Sequence, residues 1–403
     1  MPLQSNKALR LLCVLLLILS WISVNIYLPA LPALSHVFQT SETNLKFSLT
    51  LFFASFAIAQ LFWGPLSEKY GRKKPLLIGM ILTSVGVAMA MLADSVTLFN
   101  IGRFIEAAGL GCAPVLGRAI LSDALDKVTL SITWAYTTIT ANIMPALAPI
   151  IGGHLMVWFG WRFIFLFLLI YSVSLYFSTY KHLPETHTHI RPDLQLKHVL
   201  LEYWEACTHR EFMGYLLPYI LVTGAMVGYY AVTPFIFVSY LHISAENYGF
   251  FSLVTVATYV IGAVINRFLS VHFEIKKLVI LGTSATLLAA LVCCIIAMFY
   301  TLNIVTVLLP MSIFTFAAGF ISPSSNTGAL VALRHLAGAG SAIAGAGLYA
   351  VSAILSTIAT MLPLTTLWPL AIYISVIAII VFVGFFFMVF LLDDKNSSIE
   401  NTP

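Results

Sequence analysis

Residues 64 to 79 run Gly64-Pro65-Leu66-Ser67-Glu68-Lys69-Tyr70-Gly71-Arg72-Lys73-Lys74-Pro75-Leu76-Leu77-Ile78-Gly79. Glu68, Lys69, Arg72, Lys73 and Lys74 separate two apolar runs, 45–66 before them and 76–93 after. Runs of about 20 apolar residues each cross ~30 Å of hydrocarbon as a helix. The charged link is therefore a tight turn on one face of a membrane. Gly64 and Gly71 supply the backbone freedom such a turn needs.

The same alternation continues in both directions from this turn. Charge clusters and Pro, Asn and Gly breaks divide the chain into twelve apolar segments, 8–31, 45–66, 76–93, 98–120, 129–157, 161–181, 212–241, 248–270, 278–300, 304–332, 339–363 and 367–392. The composition agrees, because 60% of the 403 residues are hydrophobic and 9% are charged, against roughly a quarter charged in soluble proteins. That excludes a water-soluble enzyme, which could not cover its surface with so few charges. An even number of spans puts both termini on one side. One set of segment ends carries the basic clusters, among them Lys69–Lys74 and Lys276–Lys277, while the other carries only Lys46 and Arg162. The positive-inside rule makes the basic side cytoplasmic.

Lys73-Lys74-Pro75-Leu76-Leu77-Ile78-Gly79 aligns with Lys276-Lys277-Leu278-Val279-Ile280-Leu281-Gly282 at an offset of 203 residues. The offset also carries the first segment onto the seventh, as a duplicated six-span unit requires. The fold class expected is an all-α integral membrane protein of twelve transmembrane helices in two pseudo-symmetric six-helix bundles. The first bundle covers 1–181, a cytoplasmic connector 182–211, the second bundle 212–392 and a cytoplasmic tail 393–403. The connector holds His182, His187 and His189, read as a solvated loop with no metal. The five cysteines lack metal spacing, and the scattered basic residues form no nucleic-acid stripe.

Among the acidic residues, Glu106 falls inside an apolar segment, with Arg103 three positions earlier on the same helix face. An ionisable group in hydrocarbon is expensive and needs a partner. Two readings are open, a static structural pair and a proton-exchanging carboxylate tuned by Arg103. Pro149 with Gly152 and Gly153 reads as a kinked, closely packed helix or as a gating element.

Several motifs narrow the family. The 64–75 turn resembles the G-x-L-x-D-x-x-G-R-K signature between spans two and three of the major facilitator superfamily. Asn25-Ile26-Tyr27-Leu28-Pro29-Ala30-Leu31-Pro32 resembles the D-M-Y-L-P-A-L-P end of the first span in its Bcr/CflA drug:proton antiporter family. Arg103-Phe104-Ile105-Glu106-Ala107-Ala108-Gly109 resembles the fourth-span R-x-x-Q-x-x-G, Arg118 to Asp123 the next motif, R-A-x-x-x-D, and Ala148-Pro149-Ile150-Ile151-Gly152-Gly153 the fifth-span antiporter motif. Gly160-Trp161-Arg162 and Leu183-Pro184-Glu185-Thr186 follow in family order. Two positions depart from the pattern. Asn25 stands where the family commonly has Asp, and Glu106 where it commonly has Gln, as if the carboxylate had moved between spans. Glu68 replaces the usual loop Asp.

The resemblance implies alternating access, with Gly64, Glu68, Gly71, Arg72, Pro149, Gly152 and Gly153 in conformational gating, and the two complementary departures at Asn25 and Glu106 lead us to expect Glu106 and Arg103 in proton coupling. Asn25, Tyr27, Trp134, Tyr136, Tyr229, Tyr230 and Asn326 are expected to line a cavity suited to an amphiphilic small molecule. The function expected is export of drug-like compounds against protons across the bacterial inner membrane, by a monomer surrounded by lipid and needing no cofactor. An exporter of an endogenous metabolite or siderophore, or an uncoupled facilitator, stays open. No catalytic motif marks an enzyme.

Overall fold

The computed structural model describes residues 6–187, 196–363 and 366–390. Residues 188–195 of the expected connector, with His189, and the expected tail 393–403 lie outside them. The chain is built from helices. α1 spans Asn6–Asn25, and after a single tight turn at Leu28–Ala30, α2 spans Leu31–Val37. Next come α3 (Glu42–Tyr70), α4 (Lys73–Met91), α5 (Val96–Leu110), α6 (Cys112–Ala124), α7 (Lys127–Phe159), α8 (Trp161–His182) and α9 (Leu196–Thr208). The remainder is α10 (Arg210–Pro234), α11 (Ala245–Leu269), α12 (Ile275–Phe299), α13 (Ile304–Ala332), α14 (Ala337–Met361) and α15 (Trp368–Phe385).

Among the described residues, eleven helical segments are long and apolar enough to cross a membrane. The 33-residue α7 fills the place of the fifth span, which fits the twelve-span layout. Some spans are compound. α1 and α2 act as one segment from Lys7 to Val37, longer than the expected 8–31. Pro29 and Pro32 suggest a break, but both occupy first-turn positions where the missing N–H costs nothing. α5 and α6 likewise form one segment from Val96 to Ala124, jointed at Gly111. Local chemistry sets several starts, since Ser41 accepts from Asn44 N at 3.3 Å and Ser95 from Leu98 N at 3.3 Å. Asn303 and Thr306 form a reciprocal capping box ahead of α13.

Two compact units emerge, Met1–Leu196 with Phe237–Ser252, and Lys197–Ile236 with Leu253–Pro403. Within the first, α4 packs on α5, and within the second α12 packs on α13. The repeated Lys-Lys junction makes the same contact in each. Gly79 of α4 abuts Gly109 O and Cys112, and Gly282 of α12 abuts Phe320 and Ile321 of α13. In both places a side chain would force apart the third and fourth spans of its unit.

Candidate functional site

Arg103 and Glu106 lie one turn apart on α5, and both are 0% exposed. Arg103 Nη1 donates to Glu106 Oε2 at 2.7 Å, so the i,i+3 spacing brings them together as expected. The rest of the site arrives from other helices. α1 contributes Ser23, whose hydroxyl donates to Glu106 Oε1, while Arg103 Nη2 donates to the Ser23 carbonyl at 3.1 Å. Ser23 thus meets both members of the pair. Sequence reasoning missed it because a serine in an apolar span carries no distinguishing mark.

An aromatic box encloses the guanidinium. Its carbon lies 4.2 Å from the ring centroid of Tyr27, 4.3 Å from that of Phe52 on α3 and 5.9 Å from that of Phe165 on α8. Cation–π attraction of this kind gains strength when water is excluded. Tyr27 also packs its ring on Phe99 and Phe165 at 6.3 and 6.1 Å. The box and the carboxylate together hold a full positive charge without solvent. Of the guanidinium nitrogens, Nε has no hydrogen-bond partner among the described residues.

The other expected cavity residues are dispersed. Tyr27 is fully buried as a wall of the box, and Asn25 turns back to donate to Trp21 O at 2.8 Å. Tyr136 on α7 is exposed. The side chain of Trp134 lies outside the described residues. In the second unit, Tyr229 is buried with its ring 5.6 Å from that of Tyr230, which shares a hydrogen bond with Thr255 at 3.2 Å. Asn326 is half-buried on α13, two residues beyond Ser324, which exchanges hydrogen bonds with Asn266 at 2.8 and 3.1 Å.

The 64–75 turn is held from a distance. Arg72 Nε donates to Asp123 Oδ2 at 3.0 Å and Arg72 Nη1 to Ser67 Oγ at 2.7 Å. The Glu185 carboxylate accepts from the backbone N–H of Arg72 at 2.7 Å and of Lys73 at 3.1 Å, and so caps the start of α4. Burial by itself pushes the Glu185 carboxyl up, but the N–H groups of Arg72, His187, Lys73 and Thr186 outweigh it and hold the group below its usual value. Gly71 sits at φ +83°, and a Cβ there would come 2.5 Å from Glu185 Oε2. Glycine is thus required twice at that position, by conformation and by space. The Gly64 carbonyl accepts from Ser67 Oγ at 2.7 Å, and Glu68 is half-buried beside it. Sequence reasoning did not place Asp123 or Glu185 in this network, although both stood at the ends of recognised motifs.

Pro149, Gly152 and Gly153 lie together on α7. A Cβ at Gly152 would overlap the Ile26 carbonyl, and one at Gly153 would come 2.5 Å from Ala245 O. Both glycines let backbones touch, as in close helix crossings.

Comparison with known proteins gives a consistent result. A model described as the Major Facilitator Superfamily matches residues 13–357. The chain is 26% identical over 368 residues to multidrug resistance protein D of Escherichia coli (strain K12), covering 90% of this chain and 91% of that one. It is 25% identical over 376 residues to the bicyclomycin resistance protein homolog of Haemophilus influenzae (strain ATCC 51907 / DSM 11121 / KW20 / Rd), covering 91% and 92%. A crystal structure of the peptide transporter POT in complex with sulfate superposes with TM-score 0.76 at 12% identity, over 98% of this chain and 96% of that one. At that identity the likeness concerns the fold.

Proposed function

This chain belongs to the Major Facilitator Superfamily, a family of multi-pass membrane transporters, and from that premise we propose that it exports drug-like or amphiphilic small molecules in exchange for protons. It works by alternating access in the bacterial inner membrane, with both termini cytoplasmic and Glu106 as the proton carrier. The relatives named for multidrug and bicyclomycin resistance support the substrate class. One observation carries the coupling. Among the described residues, Glu106 is the buried acid, and it is held between Arg103 and the Ser23 hydroxyl.

The chemistry is set by charge. With Glu106 ionised, the pair is neutral and Arg103 is locked to it. Proton uptake removes that attraction and leaves the guanidinium facing its aromatic box and the Ser23 carbonyl. The Ser23 hydroxyl on α1 then loses its anionic acceptor on α5, and the α1–α5 contact becomes the element that proton loading biases. Asn25 cannot release a proton, so Glu106 takes the role that the resembled family gives to an acid on the first span. Gly71, Arg72 and Glu185 close the turn between α3 and α4, while on α7, alongside Pro149, Gly152 sets the close approach to Ile26 after α1 and Gly153 the close approach to Ala245 at the start of α11.

The test uses the protein in liposomes with a pH-sensitive dye in the lumen and amphiphilic substrates added across an imposed proton gradient. Substrate-dependent proton movement in the wild type, absent in Glu106→Gln, is the expected result. Equal coupling in both would remove Glu106 from the mechanism. Substrate flux without any proton movement would leave an uncoupled facilitator.

A further inference from the structure

Helix α9, between the two sets of spans, divides its surface into three sectors at 100° per residue. The inward sector carries Val199 and Ala206, both buried, and Ala206 joins a packed cluster with Phe212, Leu333 and Phe385. A polar sector carries Glu202 and Glu205, and His335 Nε2 meets Glu205 Oε1 at 3.0 Å. The third sector is apolar and open. Leu200 is 57% exposed, Leu201 55% and Trp204 70%, all on one face.

The start of α10 fixes the level of this helix. A single residue, His209, separates α9 from α10, and it caps that span by accepting from Phe212 N at 3.2 Å. Arg210 Nη2 donates to Phe387 O at 2.8 Å, so the start of α10 is tied to the last span. α9 is thus packed directly on the membrane end of its own unit. Lys197 stands on the same side of the helix as this apolar sector, exposed.

We propose that α9 is a membrane-surface helix whose Leu200, Leu201 and Trp204 face is seated in the phospholipid headgroup–acyl boundary at the start of α10. Trp favours that boundary because its ring is amphipathic, and leucines reach just below it. Lys197 extends its apolar stem along the same face and brings its ammonium to lipid phosphate. The polar sector stays in water, where Glu205 meets His335. The connector is then a surface anchor for the second unit, with lipid as its partner. This does not depend on the transported substrate or on coupling.

Cys207, exposed at the edge of the apolar sector, provides the probe site; Cys13, Cys112 and Cys293 are buried, and the half-buried Cys294 is removed as Cys294→Ser. Desolvation pushes the Cys207 thiol up, so labelling with an environment-sensitive fluorophore is done at mildly alkaline pH. The full chain is placed in phospholipid nanodiscs, and quenching by lipids bearing a nitroxide near the headgroup is compared with quenching by aqueous iodide. The expected result is strong lipid quenching and weak iodide quenching, reversed in the double variant Leu200→Glu/Trp204→Glu and retained in Glu202→Ala. Iodide quenching of the wild type as strong as that of the double variant would overturn the proposal. So would shielding from both quenchers that appears only with two proteins per disc, since a second copy would then cover the face. The wild-type comparison stands even where the double variant fails to fold.

Discussion

Arg103 and Arg72 belong to the same unit, and each lies within 3.0 Å of a carboxylate, yet their surroundings differ. Arg103 takes its acid from the same helix and is sealed by Tyr27, Phe52 and Phe165. Arg72 takes its acid from Asp123, 51 residues away, while its own backbone N–H caps onto Glu185, 113 residues away. The first pair has no water to compensate a lost partner, so its charges are interdependent. The second lies at the membrane end, where solvent and several backbone donors share the load. The first pair is thus a closed local unit, and the second joins distant chain segments.

Perturbation should separate the two regions by size of effect. Arg103→Ala leaves Glu106 buried without its cation, and a loss of about 3–5 kcal/mol is expected, read as a large fall in thermal unfolding temperature in detergent. A small change there would mean that the pair is more hydrated than its burial indicates. Ser23→Ala removes a donor to a charged acceptor and should cost about 1.5–3 kcal/mol. In reconstituted vesicles it should also shift the pH dependence of transport, while Ser23→Thr restores it. Gly71→Ala forces a Cβ onto a backbone at φ +83° and against the Glu185 carboxylate. About 1–2 kcal/mol is expected from the backbone alone, and a neutral outcome would show that the turn can relax.

The smallest effect belongs to Glu185→Gln, which keeps the shape of the cap and removes its charge. A charge at a helix start is worth ~0.3–1 kcal/mol. Because the folded carboxyl lies below its usual value, its contribution is present above the unfolded value of about 4.3. It disappears as pH falls through the folded value. Unfolding temperatures of wild type and Glu185→Gln should therefore differ at neutral pH and converge in acid. A gap that persists unchanged in acid would assign the effect to shape rather than charge.

The helices were legible because hydropathy is local. The 45–66 and 76–93 runs announced α3 and α4, and the joint at Gly111 fell inside one apolar segment without disturbing its span. The first span ran past its expected end because a proline in the first turn of a helix looks like a breaker in sequence. α9 was hidden in the polar connector, since Leu200, Leu201 and Trp204 are interleaved with His198, Glu202 and Glu205. Half of the ion-pair site was legible for the same local reason, with Arg103 and Glu106 three residues apart.

By itself the sequence determined the all-helical, membrane-spanning class of the chain, the position of its apolar runs and the pairing of Arg103 with Glu106. These are encoded within one helix turn or one apolar run, where spacing alone dictates geometry. Only the tertiary structure decided that Ser23 and not Asn25 meets Glu106, that Phe52 and Phe165 close the box, and that Glu185 caps α4. Those contacts depend on how each helix is rotated about its axis against its neighbours. Side-chain packing sets that rotation, and an apolar run carries no record of which of its faces will meet which partner.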